Sequence, residues 1–514
     1  MTATGKATQF EYKALHKPNQ LIYGLGQTAV ITGWTVKQAI AKHMQPEEYA
    51  VIGQLYSPTR GINLLIRNLL LNPHVRYLVV LNATKEDKNA GGCECLLDFF
   101  RNGIEEGLSD TGRRCWIIRS TILSYIDIDI DINALEKLRQ SIDWKEAKSI
   151  TDAVNQVNSY AERDVIEPWS LPLRFGFDMS TVESTVLPGP RYGHRIEGKT
   201  IAETWVKIIH RIKTTGTIRP TLHDGQWQEL IDLMAIVTSE PDNFHFPEPN
   251  YLPFDHSSIN AYTSSILDDV SYSEEGVKYT YGQRLRSGFD EIDQIKAVIK
   301  KLSDNIDSAR VVMSLWDVRN DLLLNDSPPC LNHIWIRVVD QELSLTATFR
   351  SNDMFSAWPA NAMGLRALQK YILDAVTKQS THHLKMGPLI TISQSAHIYD
   401  DCFENAEKLI QHQYPKIFKQ KDYSDPSGNF MINVQDGIIL VEHTTSGSGE
   451  VVNCYSGKSA SQVYGQIAAD CPGLQVEHAM YLGAELQKAE VVLSISQGLI
   501  YEQDKPLKTH FLSK

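Results

Sequence analysis

Two consecutive runs of alternating apolar residues constrain the fold of this chain most strongly. They cover residues 331–339 and 343–349, and a polar turn at residues 340–342 separates them. A period of two that is interrupted by a short polar turn predicts a β-hairpin with its turn near residue 341. Such a hairpin places Cys330 opposite Arg350, on neighbouring strands about 5 Å apart.

A thiol and a guanidinium at the same end of a sheet form a candidate reactive site. A nearby cation stabilises the thiolate of Cys330, and the thiolate rather than the thiol is the nucleophile. Arg350 also carries the planar set of donors that suits phosphate. Each residue has an ordinary alternative, because most cysteines are small buried residues and most arginines are surface charges. Their order and spacing among further motifs must therefore decide between these alternatives.

The composition limits the class of protein. The chain has 514 residues, enough for about three domains, and a formal net charge of −12 that argues against general affinity for nucleic acid or acidic membranes. No apolar run reaches the ~18 residues of a membrane-spanning helix, and the first residues lack the apolar core of a secretory signal. Seven scattered cysteines, an odd number, favour a reducing, cytoplasmic location over a disulfide framework.

The apolar patterns predict three units and a linker. Residues 1–150 alternate buried strands (49–53 and 75–81) with a helix (61–71), which indicates an α/β domain. Residues 151–189, rich in Pro, Ser and Gly toward their end, are predicted as a linker. The catalytic unit is then expected at 190–420 and a small α+β unit at 421–514.

Six polar motifs follow one another in a definite order around the hairpin. They are Tyr281-Gly-Gln-Arg, Ala309-Arg310, Pro329-Cys330, Arg350-Ser351-Asn352-Asp353, Pro359-Ala-Asn361 and His397-Ile-Tyr399. This series resembles the thymidylate synthase family, in its divergent archaeal-like form, over residues of about 190–415. Six spaced motifs in matching order are much more specific than any one of them.

The resemblance implies an α/β (α+β) fold. It has a thymidylate synthase-like mixed sheet core, flanked by a Rossmann-like α/β domain and a small C-terminal α+β domain. It also implies a methyltransferase that converts dUMP to dTMP with 5,10-methylenetetrahydrofolate or methylene-tetrahydromethanopterin. The pyrimidine C5 is a poor nucleophile, and addition of the Cys330 thiolate to C6 activates it as an enolate.

The same resemblance assigns roles to individual residues. Cys330, Tyr281 and Asn361 would be catalytic, with the Asn361 amide complementing uracil O4 and N3–H; the cytosine-directed relatives have aspartate there. Asp353 would contact the pterin, and no metal is expected. Arg310 would reach the phosphate site of a partner subunit, which implies a homodimer. The substrate-binding set would be Arg350, Ser351, Arg310, Asn361, His397 and Tyr399.

Several positions depart from the family pattern and leave alternatives open. Ala309 replaces a second phosphate arginine, Phe349 a polar residue and Leu331 a frequent histidine. The family's proton-organising glutamate has no clear counterpart, and Glu229 is only a candidate. These departures leave room for a pyrimidine nucleotide hydroxymethylase acting on dUMP or dCMP. They also leave room for a non-catalytic nucleotide-binding regulatory protein.

The flanking segments also carry resemblances. Residues of about 20–145 are similar to the A subunit of tetrahydromethanopterin S-methyltransferase. Tyr56 stands where that family has its corrinoid-binding histidine, so no corrinoid is expected. This segment is either a pterin-handling module or a docking domain, with His43 and His74 more readily structural than ligating. The tail resembles a domain of unknown function, in which His478 and Glu485 mark either a site or one wet face of a helix.

An acidic alternation at residues 126–132 has two interpretations. Its carboxylates could bind a cation, but a strand or loop with one solvated face is the simpler alternative.

Overall fold

The computed structural model describes residues 10–15, 17–83, 91–110, 112–176, 186–187, 189–221, 225–270, 279–323, 328–419, 425–495 and 499–509. The chain divides into two compact units, Met1–Pro188 and Gly189–Lys514. Across the described stretches, every helix is too short or too polar to cross a membrane.

The first unit is built on a mostly parallel sheet. Its strands are β1 (Ile22–Tyr23), β2 (Thr28–Ile31), β3 (Val51–Gly53), β4 (Tyr77–Leu81), β5 (Ile104–Leu108), β6 (Arg114–Ile118), β7 (Tyr125–Asp127) and β8 (Asp143–Ala147). Its helices are α1 (Lys37–Ala41), α2 (Arg60–Leu71), α3 (Gly92–Asn102), α4 (Ile132–Ser141) and α5 (Ile150–Ala161). The main sheet has the order β1-β3-β2-β4-β8, and β5-β6-β7 form a separate antiparallel sheet.

Helix α5 lies within the stretch that the sequence assigned to a linker, and the linker prediction is wrong for its residues. Ser149 caps the helix by accepting from the backbone N–H of Asp152. Ala153, Val157 and Tyr160 form a buried stripe and join the core against the β2 and β4 side chains. The Pro- and Ser-rich composition that suggested a linker begins only after this helix. Residues 177–185 and 188 of the predicted linker lie outside the described residues.

The acidic residues near β7 pair with a buried arginine of the chain rather than forming a site for a bound metal ion. The guanidinium of the fully buried Arg67, on α2, bonds Asp127 at 3.1 Å and Asp129 at 2.8 Å. Asp131 caps α4 by accepting from the N–H of Asn133 and Ala134. Each carboxylate of the series therefore has a structural partner. No cluster of three His, Cys, Asp or Glu side chains suited to a metal occurs among the described residues.

His43 and His74 behave differently in the first unit. His74 is buried and stacks on Phe10 with ring centroids 5.2 Å apart, and burial lowers its pKa to about 4. His43 is exposed just after α1. A buried neutral imidazole packed on aromatic rings is a structural residue.

The second unit is organised around a mixed sheet and a smaller sheet near its C-terminus. Its strands are β9 (Tyr192–Gly198), β10 (Thr217–Pro220), β11 (Gln226–Val237), β12 (Val312–Ser314), β13 (Leu331–Val339), β14 (Glu342–Asp353), β15 (Lys385–Tyr399), β16 (Asn429–Gln435), β17 (Ile438–Thr444), β18 (Val451–Gly457), β19 (Leu499–Ile500) and β20 (Lys508–Thr509). Its helices are α6 (Ile201–Thr215), α7 (His256–Leu267), α8 (Tyr281–Arg286), α9 (Gln294–Asp304), α10 (Trp358–Gln379), α11 (Phe403–Phe418), α12 (Ala460–Asp470) and α13 (Val476–Ser494).

The large sheet has the order β10-β11-β15-β14-β13-β12, and β9 pairs with β11. The mixed α/β class expected from the sequence is confirmed. β13 and β14 form the predicted hairpin, with Leu331 opposite Phe349 and Val339 opposite Glu342. Asp340 and Gln341 have φ of 50° and 64°, the left-handed pair that a tight two-residue hairpin turn requires.

The apolar faces of α6, α9 and α10 cover the sheet and form the core of the larger part of this unit. Trp205 of α6 is almost fully buried and donates its indole N–H to the carbonyl of Met354 across 2.7 Å. This bond anchors the chain between the end of β14 and the start of α10. Strands β16-β17-β18 pack with α12 and α13 around a separate hydrophobic cluster.

Candidate active site

The cysteine and the arginine of the hairpin lie together at the start of β13. The backbone N–H of Arg350 donates to the carbonyl of Cys330 across 2.9 Å. The guanidinium of Arg350 donates from Nε to the Pro329 carbonyl at 3.2 Å and from Nη2 to the Pro328 carbonyl at 2.7 Å. The two prolines thus hold the guanidinium on the loop that carries Cys330.

The surroundings of Cys330 act on its thiol in opposite directions. Burial raises the pKa of the Cys330 thiol, and the positive charge of Arg350 lowers it. Burial is the larger effect, so the thiol carries its proton at neutral pH. Arg350 is the group that favours the thiolate, because its positive charge lowers the pKa of Cys330.

Four tyrosines lie near enough to this thiol to interact with it electrostatically: Tyr262, Tyr279, Tyr281 and Tyr399. Burial raises the pKa of each of them, and the nearby Cys330 adds to the increase in every case. For Tyr279 the pKa reaches about 12. Tyr281 and Tyr399 were predicted from the sequence, whereas Tyr262 and Tyr279 were not. The structure brings Tyr281 and Tyr399 together with Cys330.

Helix α8 begins with Tyr281, and Tyr279 immediately precedes the residue that caps it. Thr280 caps this helix by accepting from the N–H of Gln283 at 3.0 Å. Arg284, one turn on, makes a two-point ion pair with the buried Asp321 at 2.6 Å and 2.8 Å. The Thr280 cap and the Arg284–Asp321 ion pair together fix the position and rotation of this short helix.

Asn361 lies in the first turn of α10 and is 6% exposed. Its Oδ1 accepts a hydrogen bond from the Tyr262 hydroxyl. Its Nδ2 donates to Oδ1 of Asn352 across 3.4 Å, and Nδ2 of Asn352 donates to Ser393 Oγ across 3.2 Å. The predicted pyrimidine-binding amide is therefore held inside a polar network that the sequence did not reveal.

His397 and Tyr399 lie on the last residues of β15. The rings of His397 and Trp227 lie 4.4 Å apart, and burial lowers the pKa of His397. Ser395 contacts Nδ1 of His397 at 3.2 Å and donates to Oε1 of Glu229 at 2.6 Å. The buried carboxylate of Glu229 also pairs with Arg219 at 3.0 Å. Glu229 therefore supports the histidine.

Asp353 ends β14 and has one carboxylate oxygen committed to the backbone. Its Oδ1 accepts from the N–H of Phe355 at 2.9 Å and of Ser356 at 3.1 Å. Within the described part of the chain, Oδ2 has no hydrogen-bond partner. That oxygen can therefore accept a hydrogen bond from a bound ligand. Ser351 is half-buried beside it and opposite Ser395 in the sheet.

The structure does not bring Arg310 to the other predicted site residues. Arg310 is exposed just before β12, whose Val312 lies opposite Trp335 of β13. By the same register, the position on β13 beside Arg310 is near residue 337. That position is about seven residues from Cys330, or about 20 Å along the strand. In this chain Arg310 cannot share a phosphate with Arg350.

Comparison with known proteins identifies the relatives of this chain. The family model described as "Thymidylate synthase" matches residues 254–429. Proteins named "Putative thymidylate synthase" from Methanococcoides burtonii and Methanosarcina barkeri are each 31% identical over 219 residues, which are 43% of this chain and 95% of each relative. One from Methanothermobacter marburgensis is 28% identical over 231 residues, 43% of this chain and 99% of the relative.

This chain belongs to the thymidylate synthase family. The family resemblance seen in the spaced motifs is thereby confirmed, and it makes the chain a one-carbon transferase-like protein. The matched residues include Cys330, the hairpin that follows it, the four tyrosines near the thiol, and Asn361 on α10. The family match thus falls on the elements that form the site.

A second family model, described as "PterinBD-DUF4346", matches residues 424–504. In this part Asp425 is buried and its Oδ2 accepts from His478 Nδ1 at 2.9 Å and from the N–H of Gln475 at 3.0 Å. Glu485 is also buried, and it accepts from the Tyr501 hydroxyl at 3.0 Å and pairs with Lys488 at 2.6 Å. His478 and Glu485 thus have structural partners, and neither lies on a purely solvated face.

Proposed function

We propose that this chain is a methyltransferase that converts dUMP to dTMP, with Cys330 as the nucleophile. The observation that carries the proposal is the placement of Cys330 beside Arg350, whose positive charge acts on the thiol. A pyrimidine nucleotide has a phosphate for Arg350, an electrophilic C6 for the thiolate, and a base edge for Asn361. The family match supports the same reaction class.

The reaction begins with proton loss from Cys330, which Arg350 favours. The sulfur of Cys330 adds to C6 of the base, and the electron pair of the C5–C6 bond moves onto C5 and O4. Asn361 holds the O4–N3 edge, where the negative charge develops. Tyr281 carries its proton at neutral pH, as an ordinary tyrosine does, and burial raises its pKa further, well above the ordinary value. It therefore acts through a neutral hydroxyl.

Asp353 is the proposed pterin ligand, through the carboxylate oxygen that does not cap the backbone. Methylenetetrahydrofolate or methylene-tetrahydromethanopterin supplies, when bound, the one-carbon unit and the reducing equivalent. The match of residues 424–504 to a family whose name denotes pterin binding supports a pterin of either type. The proposal also includes the first unit, either as a pterin-handling module or as a docking domain.

A homodimer is part of the proposal because of Arg310. This residue is exposed and lies far along the sheet from Arg350 of its own chain. A second copy could present its Arg310 to the phosphate, while His397 and Tyr399 bind the ribose and Ser351 the phosphate.

Tritium release from [5-³H]dUMP tests the proposed chemistry. With a methylene-pterin present, the wild type should release tritium as C5 is substituted, and Cys330→Ala should not. Cys471→Ala is the matched control, since Cys471 is also half-buried but lies between α12 and α13. Equal release by the wild type and Cys330→Ala would refute the mechanism. Tritium release with a hydroxymethylated product would indicate the hydroxymethylase. Nucleotide binding without tritium release would indicate the regulatory protein.

A further inference from the structure

Three hydrogen bonds form a continuous chain from α7 to β15. Tyr262 donates to Asn361, Asn361 donates to Asn352, and Asn352 donates to Ser393. Asn361, Asn352 and Ser393 are all nearly inaccessible to solvent, with exposures of 6%, 3% and 0%. In such surroundings an amide that turned over would lose its partners, so the chain holds each amide in one orientation.

The chemistry of the two ends sets the direction of the chain. Among the residues that the structure describes, the Tyr262 hydroxyl has a single hydrogen-bond partner, Asn361. A phenol is a better donor and a poorer acceptor than an aliphatic hydroxyl, because its oxygen lone pair is delocalised into the ring. The phenol end therefore donates and the Ser393 end accepts. This direction makes Oδ1 of Asn361 the atom on the tyrosine side and Nδ2 the atom on the Asn352 side.

The orientation of this amide decides which base edge it can bind. Each end of the Asn361 amide retains capacity for one more bond: Oδ1 has a second lone pair and Nδ2 a second N–H. Oδ1 can accept from N3–H of uracil while Nδ2 donates to O4. Cytosine presents an acceptor at N3 and an amino donor at C4, so it needs the amide turned over. Turning it over would break the bonds to Tyr262 and Asn352.

We propose that Tyr262 and Asn352 are positioning residues that fix the Asn361 amide in the orientation that selects uracil over cytosine. The proposal rests on the proposed nucleotide function, and it adds the residues that set base preference. Neither residue was among the predicted site residues.

The packing of α7 on α10 is consistent with this role. A Cβ on Gly364, one turn after Asn361, would lie 2.2 Å from Cδ1 of Ile266 and 3.5 Å from the ring of Tyr262. The glycine therefore lets α7 approach α10 closely enough for the Tyr262 hydroxyl to reach Asn361.

Equilibrium binding of dUMP and dCMP tests the proposal without requiring turnover. Calorimetric dissociation constants would be compared for the wild type, Tyr262→Phe, Asn352→Leu and Asn352→Asp. Loss of one orienting bond should lower the preference for dUMP by about 5- to 10-fold in Tyr262→Phe and Asn352→Leu. Asn352→Asp should retain the preference, because its carboxylate still accepts from Nδ2 of Asn361.

Tyr251→Phe is the matched control. Tyr251 is half-buried beside the same core, and the structure shows no hydrogen bond from its hydroxyl within the described residues. Its removal should leave the preference unchanged. An unchanged preference for dUMP over dCMP in Tyr262→Phe would overturn the inference, even if both nucleotides bound more weakly.

A separate measurement distinguishes failure of this inference from failure of the proposed function. Adduct formation between Cys330 and 5-fluoro-dUMP in the wild type tests the proposed function by itself, because it requires the thiol and Arg350. A wild-type protein that binds neither nucleotide would contradict both the function and the inference. Adduct formation with an unaltered base preference in Tyr262→Phe would contradict the inference alone.

Discussion

Arg350 is tied to Cys330 by a backbone hydrogen bond of 2.9 Å, and its guanidinium is held by the carbonyls of Pro328 and Pro329. The cation is therefore fixed beside the thiol before any nucleotide arrives. A fixed charge stabilises the thiolate without the cost of reorganisation at the moment of reaction. The same geometry leaves part of the guanidinium available to a phosphate.

Replacement of Arg350 by leucine should make Cys330 less reactive. Burial already raises the pKa of this thiol, and removal of the cation leaves nothing to oppose that increase. Iodoacetamide modification of Cys330 near neutral pH should slow several-fold, and its rise with pH should move to higher pH. Peptide mapping by mass spectrometry resolves Cys330 from the exposed Cys454, whose rate serves as the internal control. An equal rate in the variant would mean that Arg350 does not act on the thiol.

Gly364→Val should destabilise the second unit. The added side chain would overlap Ile266 and crowd Tyr262 in a buried contact, at a cost of about 1–3 kcal/mol in the free energy of unfolding. Urea denaturation measures this cost. Gly483→Val is the matched control, because Gly483 is also helical but has open space around its Cβ position. Similar stabilities for the two variants would show that close packing at Gly364 is unimportant.

The stability of the first unit should depend on His74 in mildly acidic solution. The pKa of His74 falls from 6.5 to about 4 on folding, so the unfolded chain binds the proton more strongly. The contribution of neutral His74 to the free energy of unfolding is therefore complete above pH 6.5, and it is lost as the pH falls toward about 4.

Urea unfolding at about pH 7.5 and about pH 5 measures this dependence, which should decrease by about 1–2 kcal/mol in His74→Phe. His43→Phe should retain the full dependence, since His43 is exposed. A pH dependence in His74→Phe that matches the wild type would contradict the assignment.

Mixing two inactive variants should restore activity if Arg310 acts across a dimer. Arg310→Ala lacks the partner's phosphate contact and Cys330→Ala lacks the nucleophile. A hybrid dimer of the two has one intact site, so random exchange should give about one quarter of the wild-type activity. Cys330→Ala mixed with Cys330→Ser should recover nothing. Absence of recovery after confirmed subunit exchange would place Arg310 outside the site.

The hairpin could be predicted because its information is local. Strict alternation around a polar turn specifies both strands and their register, and the register brings Cys330 to Arg350. Helix α5 escaped the prediction because the Pro- and Ser-rich composition of this segment lies after Ala161, whereas the Ser149 cap and the stripe of Ala153 and Val157 are local helix signals.

The polar network at Asn361 could not be predicted in the same way. Tyr262 and Asn361 are 99 residues apart, and their contact depends on how α7 packs against α10. Asn352 was visible within the Arg350–Asp353 motif, but no pattern showed that its side chain faces Asn361. Glu229, which the sequence offered as a candidate for the proton-organising group, stays a prediction; its structural partners are Ser395 and Arg219, and no sequence pattern indicated them.

Covalent capture of a substrate analogue tests the central claim most directly. The protein would be incubated with 5-fluoro-dUMP and each methylene-pterin, denatured, digested and examined by mass spectrometry. The account predicts a peptide in which Cys330 carries both the nucleotide and the one-carbon-linked pterin. A peptide map in which Cys330 stays unmodified, while the analogue binds the native protein, would contradict the account.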